Sequence, residues 1–146
     1  MSDRMKVNIV GVTLEEEMLF KCDLGKINMQ DLYLDERDLR DAEKIGPSPA
    51  RFLALAVLGC MGASFAFCLK KKNFTLDELD GKAEVIIKRN EHGFWRIKKI
   101  NLKINPKIDN PKMRKRADQC RKFFEQYCII TQSVREGIEV NLNLDY

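Results

Sequence analysis

Residues 47–72 read PSPARFLALAVLGCMGASFAFCLKKK, and the 18 positions from Phe52 to Leu69 carry no charged side chain. That length supports about five helical turns. Pro47 and Pro49 suit a helix entry, where a missing N–H costs nothing. Phe52, Ala56, Cys60, Ala63 and Phe67 recur at steps of 3 and 4 and so share one face, with Leu53, Val57 and Ser64 beside them. A helix apolar nearly all round is a buried helix, so the rest of the chain is expected to pack around Gly59-Cys60-Met61.

A run of this length also meets the lower limit for a membrane span. Gly59, Gly62, Ser64, two cysteines and four alanines dilute it, no second such segment exists, and a core helix without membrane contact is expected. The start, Met1-Ser-Asp-Arg, lacks the apolar run of a signal peptide, which predicts a cytoplasmic protein. The 146 residues fit a single domain over 1–146, large enough for a core and small enough to gain from an oligomeric partner.

The net charge of +4 is unevenly spread: residues 1–50 hold 11 acidic and 7 basic side chains, residues 88–122 hold 3 and 13. An acidic arm and a basic body are suited to self-association, and the basic half raises nucleic acid as a rival partner. Against that rival, the lysines are dispersed and no aromatic residues are interleaved with them. Cys22, Cys60, Cys68, Cys120 and Cys128 make an odd count, which argues against a disulfide framework. With no Cys-x-x-Cys and only His92, in the turn-like Asn90-Glu-His-Gly93, neither a metal site nor a cofactor is expected.

In chain order, residues 6–12 and 18–22 read as two strands joined by a turn at 13–16, residues 31–34 as a third, and 35–46 as a charged surface connection. Lys70, Lys71 and Lys72 suit the negative end of the helix dipole. Residues 83–88 and 94–105 form a hairpin through the 90–93 turn. Trp95 and Ile97 fall on one parity while Ile100, Leu102 and Ile104 fall on the other, which predicts a bulge near Lys98-Lys99 and sheet packing for Trp95. Asn110-Pro111 caps a second amphipathic helix that runs through Met113, Ala117, Cys120, Phe124 and Tyr127. Residues 129–136 give one or two more helical turns ended by Gly137, and Ile138, Val140, Leu142 and Leu144 alternate with polar residues as a final strand. The arrangement is α+β.

Gly46-Pro-Ser-Pro49, the apolar run into Leu58-Gly59-Cys60, and the later Tyr127-Cys128 with its short segment and closing strand together resemble the family of osmotically induced protein C and organic hydroperoxide resistance proteins (OsmC/Ohr). The likeness covers residues 40–144. It implies antiparallel sheet strands packed on two central helices in an intertwined homodimer, with active sites at the interface. It also implies thiol peroxidase chemistry on an organic hydroperoxide, with Cys60 peroxidatic and Cys128 resolving, and an external thiol as reductant.

Only a thiolate attacks an O–O bond, and a thiol of ordinary pKa, about 8.5, is mostly protonated at neutral pH. Cys60 lies mid-helix and needs a cation close by. The family's arginine spacing points to Arg40, nine residues before Pro49, with Arg37 in reserve. The family's glutamate just after the second proline is missing, since Ala50 and Arg51 stand there; Arg40 then needs Glu43 or Glu36, or Arg51 itself serves. Phe52, Phe67, Phe124 and Tyr127 are candidates to line a pocket for the alkyl group. Cys22, Cys68 and Cys120 read as packing residues. The remaining alternative is a member of the fold that has lost peroxidase activity and binds a small apolar ligand.

Overall fold

The computed structural model describes residues 5–146; Met1-Ser-Asp-Arg, from which the absence of a signal peptide was argued, lies outside the described residues. The chain forms two compact units, the first ending at Phe52 and the second being Leu53–Tyr146.

The first unit is a three-stranded antiparallel sheet of order β1 (Gly11–Glu16), β2 (Leu19–Asp23) and β3 (Tyr33–Asp35). The first strand begins later than the β-branched residues 6–12 suggest. The turn falls at Glu17, which takes a left-handed φ of 44°, and a register irregularity between Leu14 and Glu16 accommodates it. β3 likewise ends on Asp35, whose fully buried carboxylate is gripped by Arg37 Nε at 3.0 Å and Nη2 at 2.8 Å and by the Ile45 N–H at 3.0 Å. Gly46 lies so close to the Tyr33 backbone that a Cβ has no room, and the Pro47 carbonyl accepts from the Asp35 N–H at 3.0 Å. The Gly-Pro-Ser-Pro stretch is thereby fixed to the strand.

The long helix α1 runs over Pro49–Lys70, with the unit boundary in its first turn. Its buried residues include Val57, Met61, Ser64 and Cys68, a stripe turned by roughly a third of a turn from the expected one. Ala56, Ala63 and Phe67 are exposed instead. A helix apolar on every side has no polar face to set its rotation, so periodicity alone does not choose the face.

In the second unit β4 (Leu79–Arg89) and β5 (Trp95–Pro106) form the expected hairpin. Asn90 Oδ1 accepts from His92 and Phe94 N–H at 2.9 and 3.0 Å, and Gly93 adopts φ 85°. Ile86 pairs with Lys99 and Ile87 with Ile97, so Lys98 is the bulged residue. Trp95 is not packed into a sheet face; it is 60% exposed and lies under the Arg89 guanidinium. Asn110 caps α2 (Pro111–Cys120), accepting from the Lys112 and Met113 N–H groups. The helix stops at Cys120 rather than continuing to Tyr127, because Phe123 leaves helical φ/ψ and a 3₁₀ turn, Phe124–Tyr127, follows. That turn brings Phe124 edge-to-face against Phe65, with ring centroids 5.3 Å apart. The core of this unit is Phe65, Cys68, Leu69, Met113, Ala117 and Cys120.

Two further expectations fail in this unit. Cys68 and Cys120, taken as packing residues in a disulfide-free chain, are disulfide-bonded with Cα atoms 6.0 Å apart. An odd count leaves this open, since helix packing rather than sequence spacing brings two cysteines within bonding reach. The final strand is also not formed: α3 (Ile129–Glu136) ends at Gly137, φ 83°, as expected, but residues 138–146 have no ladder partner among the described residues. Their alternating side chains, Ile138, Val140, Leu142 and Leu144, are 63–86% exposed.

Candidate active site

Cys60 and Cys128, 68 positions apart in sequence, come together in the second unit, close enough for each thiol to influence the ionisation of the other. Cys60 is half-buried in the middle of α1. Cys128 is fully buried at the N-cap of α3, where the helix leaves its first N–H groups without partners.

One of them goes to sulfur: the Thr131 N–H donates to Cys128 Sγ at 3.4 Å. The Cys128 thiol donates to Thr131 Oγ1 at 3.0 Å. One helical turn after Cys60, Ser64 donates its hydroxyl to the Cys60 carbonyl at 2.8 Å. Ser64 and Thr131 are both buried. Burial, and then the neighbouring Cys128 sulfur, push the Cys60 thiol up. Burial also acts to raise Cys128, but the Thr131 hydroxyl, the Cys60 thiol, the Thr131 amide and the Ser64 hydroxyl outweigh it, and Cys128 is lowered. Of the two thiols, Cys128 is therefore the more readily ionised.

Beside it lies a cavity of about 680 Å³, lined on one side by Leu53, Val57 and Met61 of α1 and on the other by Ile97 and Ile100 of β5, with Thr131 in its wall. Of the four aromatics expected at a pocket only Phe124 lines this one. Tyr127 packs edge-to-face on Phe67 at 5.5 Å, and its hydroxyl accepts from Lys71 Nζ at 3.1 Å.

The remaining candidates belong to the first unit. Arg40 holds Glu43 at 2.7 Å, and Arg51 lies 3.3 Å from Asp41 with its N–H on Ser48 Oγ. Phe52 is half-buried, its N–H bonded to the Ser48 carbonyl. Arg37, the reserve cation, is occupied by Asp35 and Glu16. Among the described residues no cluster of His, Cys, Asp and Glu is arranged to hold a metal ion.

Ser64 and Thr131 were not singled out by sequence reasoning. Their signals are positional: Ser64 lies four residues after Cys60 on one helix, and Thr131 stands at the third helical position after an N-cap cysteine, the place of a capping partner.

A family model described as OsmC-like protein matches residues 41–143. Among solved structures, the organic hydroperoxide resistance protein OhrB of Bacillus subtilis is similar over 96% of this chain and 98% of its own, with a TM-score of 0.62 and 20% identity. An OsmC-like protein of unknown function from Vibrio cholerae matches with a TM-score of 0.66 at 11% identity, over 88% of this chain and 94% of that one. A hypothetical protein from Aquifex aeolicus gives 0.64 at 21%, over 90% and 89%. At these identities the structures show likeness of fold. Comparison with curated protein sequences yields no match. On the match over residues 41–143, the chain belongs to the OsmC-like protein family.

Proposed function

We propose that this protein is a thiol-dependent peroxidase that reduces organic hydroperoxides through Cys60 and Cys128. The observation that supports the reading is the nearness of these two thiols at the N-terminus of α3, beside a cavity walled in part by apolar residues of α1 and β5. The Cys60 sulfur attacks the distal peroxide oxygen, the O–O bond breaks and an alcohol leaves. Cys60 becomes a sulfenic acid, which Cys128 displaces to give a disulfide, with the oxygen leaving as hydroxide or water. An external dithiol then returns both residues to thiols by exchange. The cavity takes the alkyl portion.

The reading includes a homodimer. An alternating segment, residues 138–145, that has no ladder partner among the described residues meets its hydrogen-bonding requirement on a second copy. The same cavity supports the second reading, a member of the fold that binds a small apolar ligand without turnover.

One equivalent of an alkyl hydroperoxide, followed by thiol counting and disulfide mapping, tests the reading. The protein begins with Cys22, Cys60 and Cys128 free, so thiols fall from three to one as a Cys60–Cys128 bridge forms, and Cys60→Ser abolishes that bridge. Three thiols surviving the oxidant refute the peroxidase reading and leave the ligand-binding one.

A further inference from the structure

A second cavity, of about 420 Å³, is lined by α2 and the last residues of β5. Its floor is the margin of the hydrophobic core: Phe65 and Ala117 are buried there, while Ile108 and Phe124 pack against that core and stay partly exposed. Its rim carries Arg114, Asp118 and Arg121, which recur at steps of 4 and 3 and so share one face of α2 and its C-cap.

Those three charges are left unpaired. Every other guanidinium among the described residues has an acceptor, whether a carboxylate, as for Arg135, or a carbonyl, as for Arg116. Among the described residues Arg114 and Arg121 alone have none, and both line this one cavity. Asp118 stands four residues after Arg114 and three before Arg121, the spacings of a helical ion pair, yet it pairs with neither. The helix dipole suits Arg121 at the C-cap but gives no reason for Arg114, near the N-terminal end of α2.

We infer that this cavity binds a small organic monocarboxylate with a hydrocarbon or aromatic body. The guanidinium fork matches a carboxylate in shape as well as in charge. The two arginines stand about 10 Å apart along the helix axis, a gap that their long side chains can close on one carboxylate. Asp118 between them reduces the charge of the rim from +2 to +1, which suits a monoanion and works against a phosphate dianion. The ligand body lies over Ile108 and Phe124 and covers the apolar surface they leave open. The volume is in the range of small-molecule sites, about 300–1,000 Å³.

This site is separate from the cavity beside Cys60 and Cys128. Ile104 and Phe124 line both and form a shared wall, but α2 contributes nothing to the other cavity, whose charged groups are Lys98, Lys99, Glu125 and Arg135. Arg135 is also already paired there, with Glu125 at 2.7 Å. Substitutions on α2 therefore address one site and leave the other intact.

Isothermal titration calorimetry of the full chain near neutral pH tests the inference, with sodium octanoate and sodium benzoate as probes and 1-octanol and inorganic phosphate as comparisons. At least one carboxylate binds, 1-octanol binds about tenfold more weakly than octanoate or not at all, and phosphate gives no heat. Arg114→Gln and Arg121→Gln, exposed positions whose loss leaves the circular dichroism unchanged, each weaken the carboxylate about ten- to a hundredfold, the worth of a hydrogen bond to a charged group. Asp118→Asn tightens it by removing a like charge, and Arg135→Gln leaves it as in wild type. No heat from either carboxylate overturns the inference, as does 1-octanol or phosphate binding as tightly as the carboxylate. Binding that survives both α2 arginine substitutions overturns it too, because the probe then occupies the other cavity.

Discussion

Breaking the Cys68–Cys120 bond isolates how much the cross-link between α1 and α2 contributes to stability. The bond closes a loop with a sequence separation of 52, and both cysteines are fully buried. In the chain-entropy account, a loop of that size restricts the unfolded ensemble by about 4 kcal/mol at 25 °C. Reduction removes this while leaving both sulfurs packed against Phe65, Leu69, Met113 and Ala117. Cys68→Ala with Cys120→Ala removes the sulfurs as well, adding on the order of 1–2 kcal/mol for the space left behind. The Arg116 guanidinium, bonded to the Cys68 carbonyl at 3.1 and 3.3 Å, is retained in both cases and holds the helix ends in place.

The assay is urea unfolding followed by circular dichroism at fixed protein concentration, in a Cys60→Ser background so that reductant acts on one bond only. A loss of about 4 kcal/mol moves the midpoint by roughly 2 M, for a slope near 2 kcal/mol per molar. The thermal midpoint falls on the order of 10 °C. Oxidised and reduced forms unfolding within about 1 kcal/mol of each other refute the loop-closure account. If the double alanine variant matches the reduced protein, the sulfurs contribute nothing by packing.

Asp35 gives the first unit its acid sensitivity. The Arg37 side chain holds its carboxyl well below the usual range, so this contribution to stability is full above about pH 4 and is lost as pH falls toward the folded value; acid unfolding followed by tryptophan-independent circular dichroism shows an onset below pH 4 that Asp35→Asn removes. Gly81→Ala places a Cβ 3.0 Å from the Lys103 carbonyl oxygen and 3.1 Å from Leu58 Cδ1, and lowers stability by about 1–3 kcal/mol in denaturant titration, whereas Gly59→Ala, with open space around it, does not. Removing residues 138–146 converts the proposed dimer to monomer by light scattering, and an unchanged mass sinks the role assigned to the unpaired strand.

Features specified by neighbouring residues were legible in the sequence. Asn110 caps its own helix, Gly137 ends one, Asn90 closes its own turn, and the parity change in β5 marks the Lys98 bulge, because each is set within a few residues. The Cys60–Cys128 pair came from a resemblance rather than from spacing, and the structure brings those sulfurs together. The Cys68–Cys120 bond and the rotation of α1 depend on how helices cross, which no local pattern encodes. A strand that lacks a partner is illegible for the opposite reason: residues 138–144 carry the alternation of a strand, but the ladder that completes one has to come from elsewhere.

The rotation of α1 decides more than which residues are buried. With Val57, Met61, Ser64 and Cys68 facing inward, Cys60 falls roughly 70° from the centre of that stripe, at its edge. Had the expected face been the buried one, Cys60 would sit in the middle of the core, sealed with Cys128 and closed to any oxidant, and Ser64 would lie to one side. The observed rotation puts Ser64 inside and leaves Cys60 half-exposed. The Cys68–Cys120 bond, two turns further along the same helix, fixes that rotation covalently. Cutting the bond therefore loosens the placement of Cys60 beside Cys128 as well as the fold, so the Cys60–Cys128 bridge forms more slowly under one equivalent of alkyl hydroperoxide in Cys68→Ala with Cys120→Ala while α1 remains helical. A bridge that forms at an unchanged rate in that variant shows that the packing of Phe65 and Leu69 sets the rotation unaided.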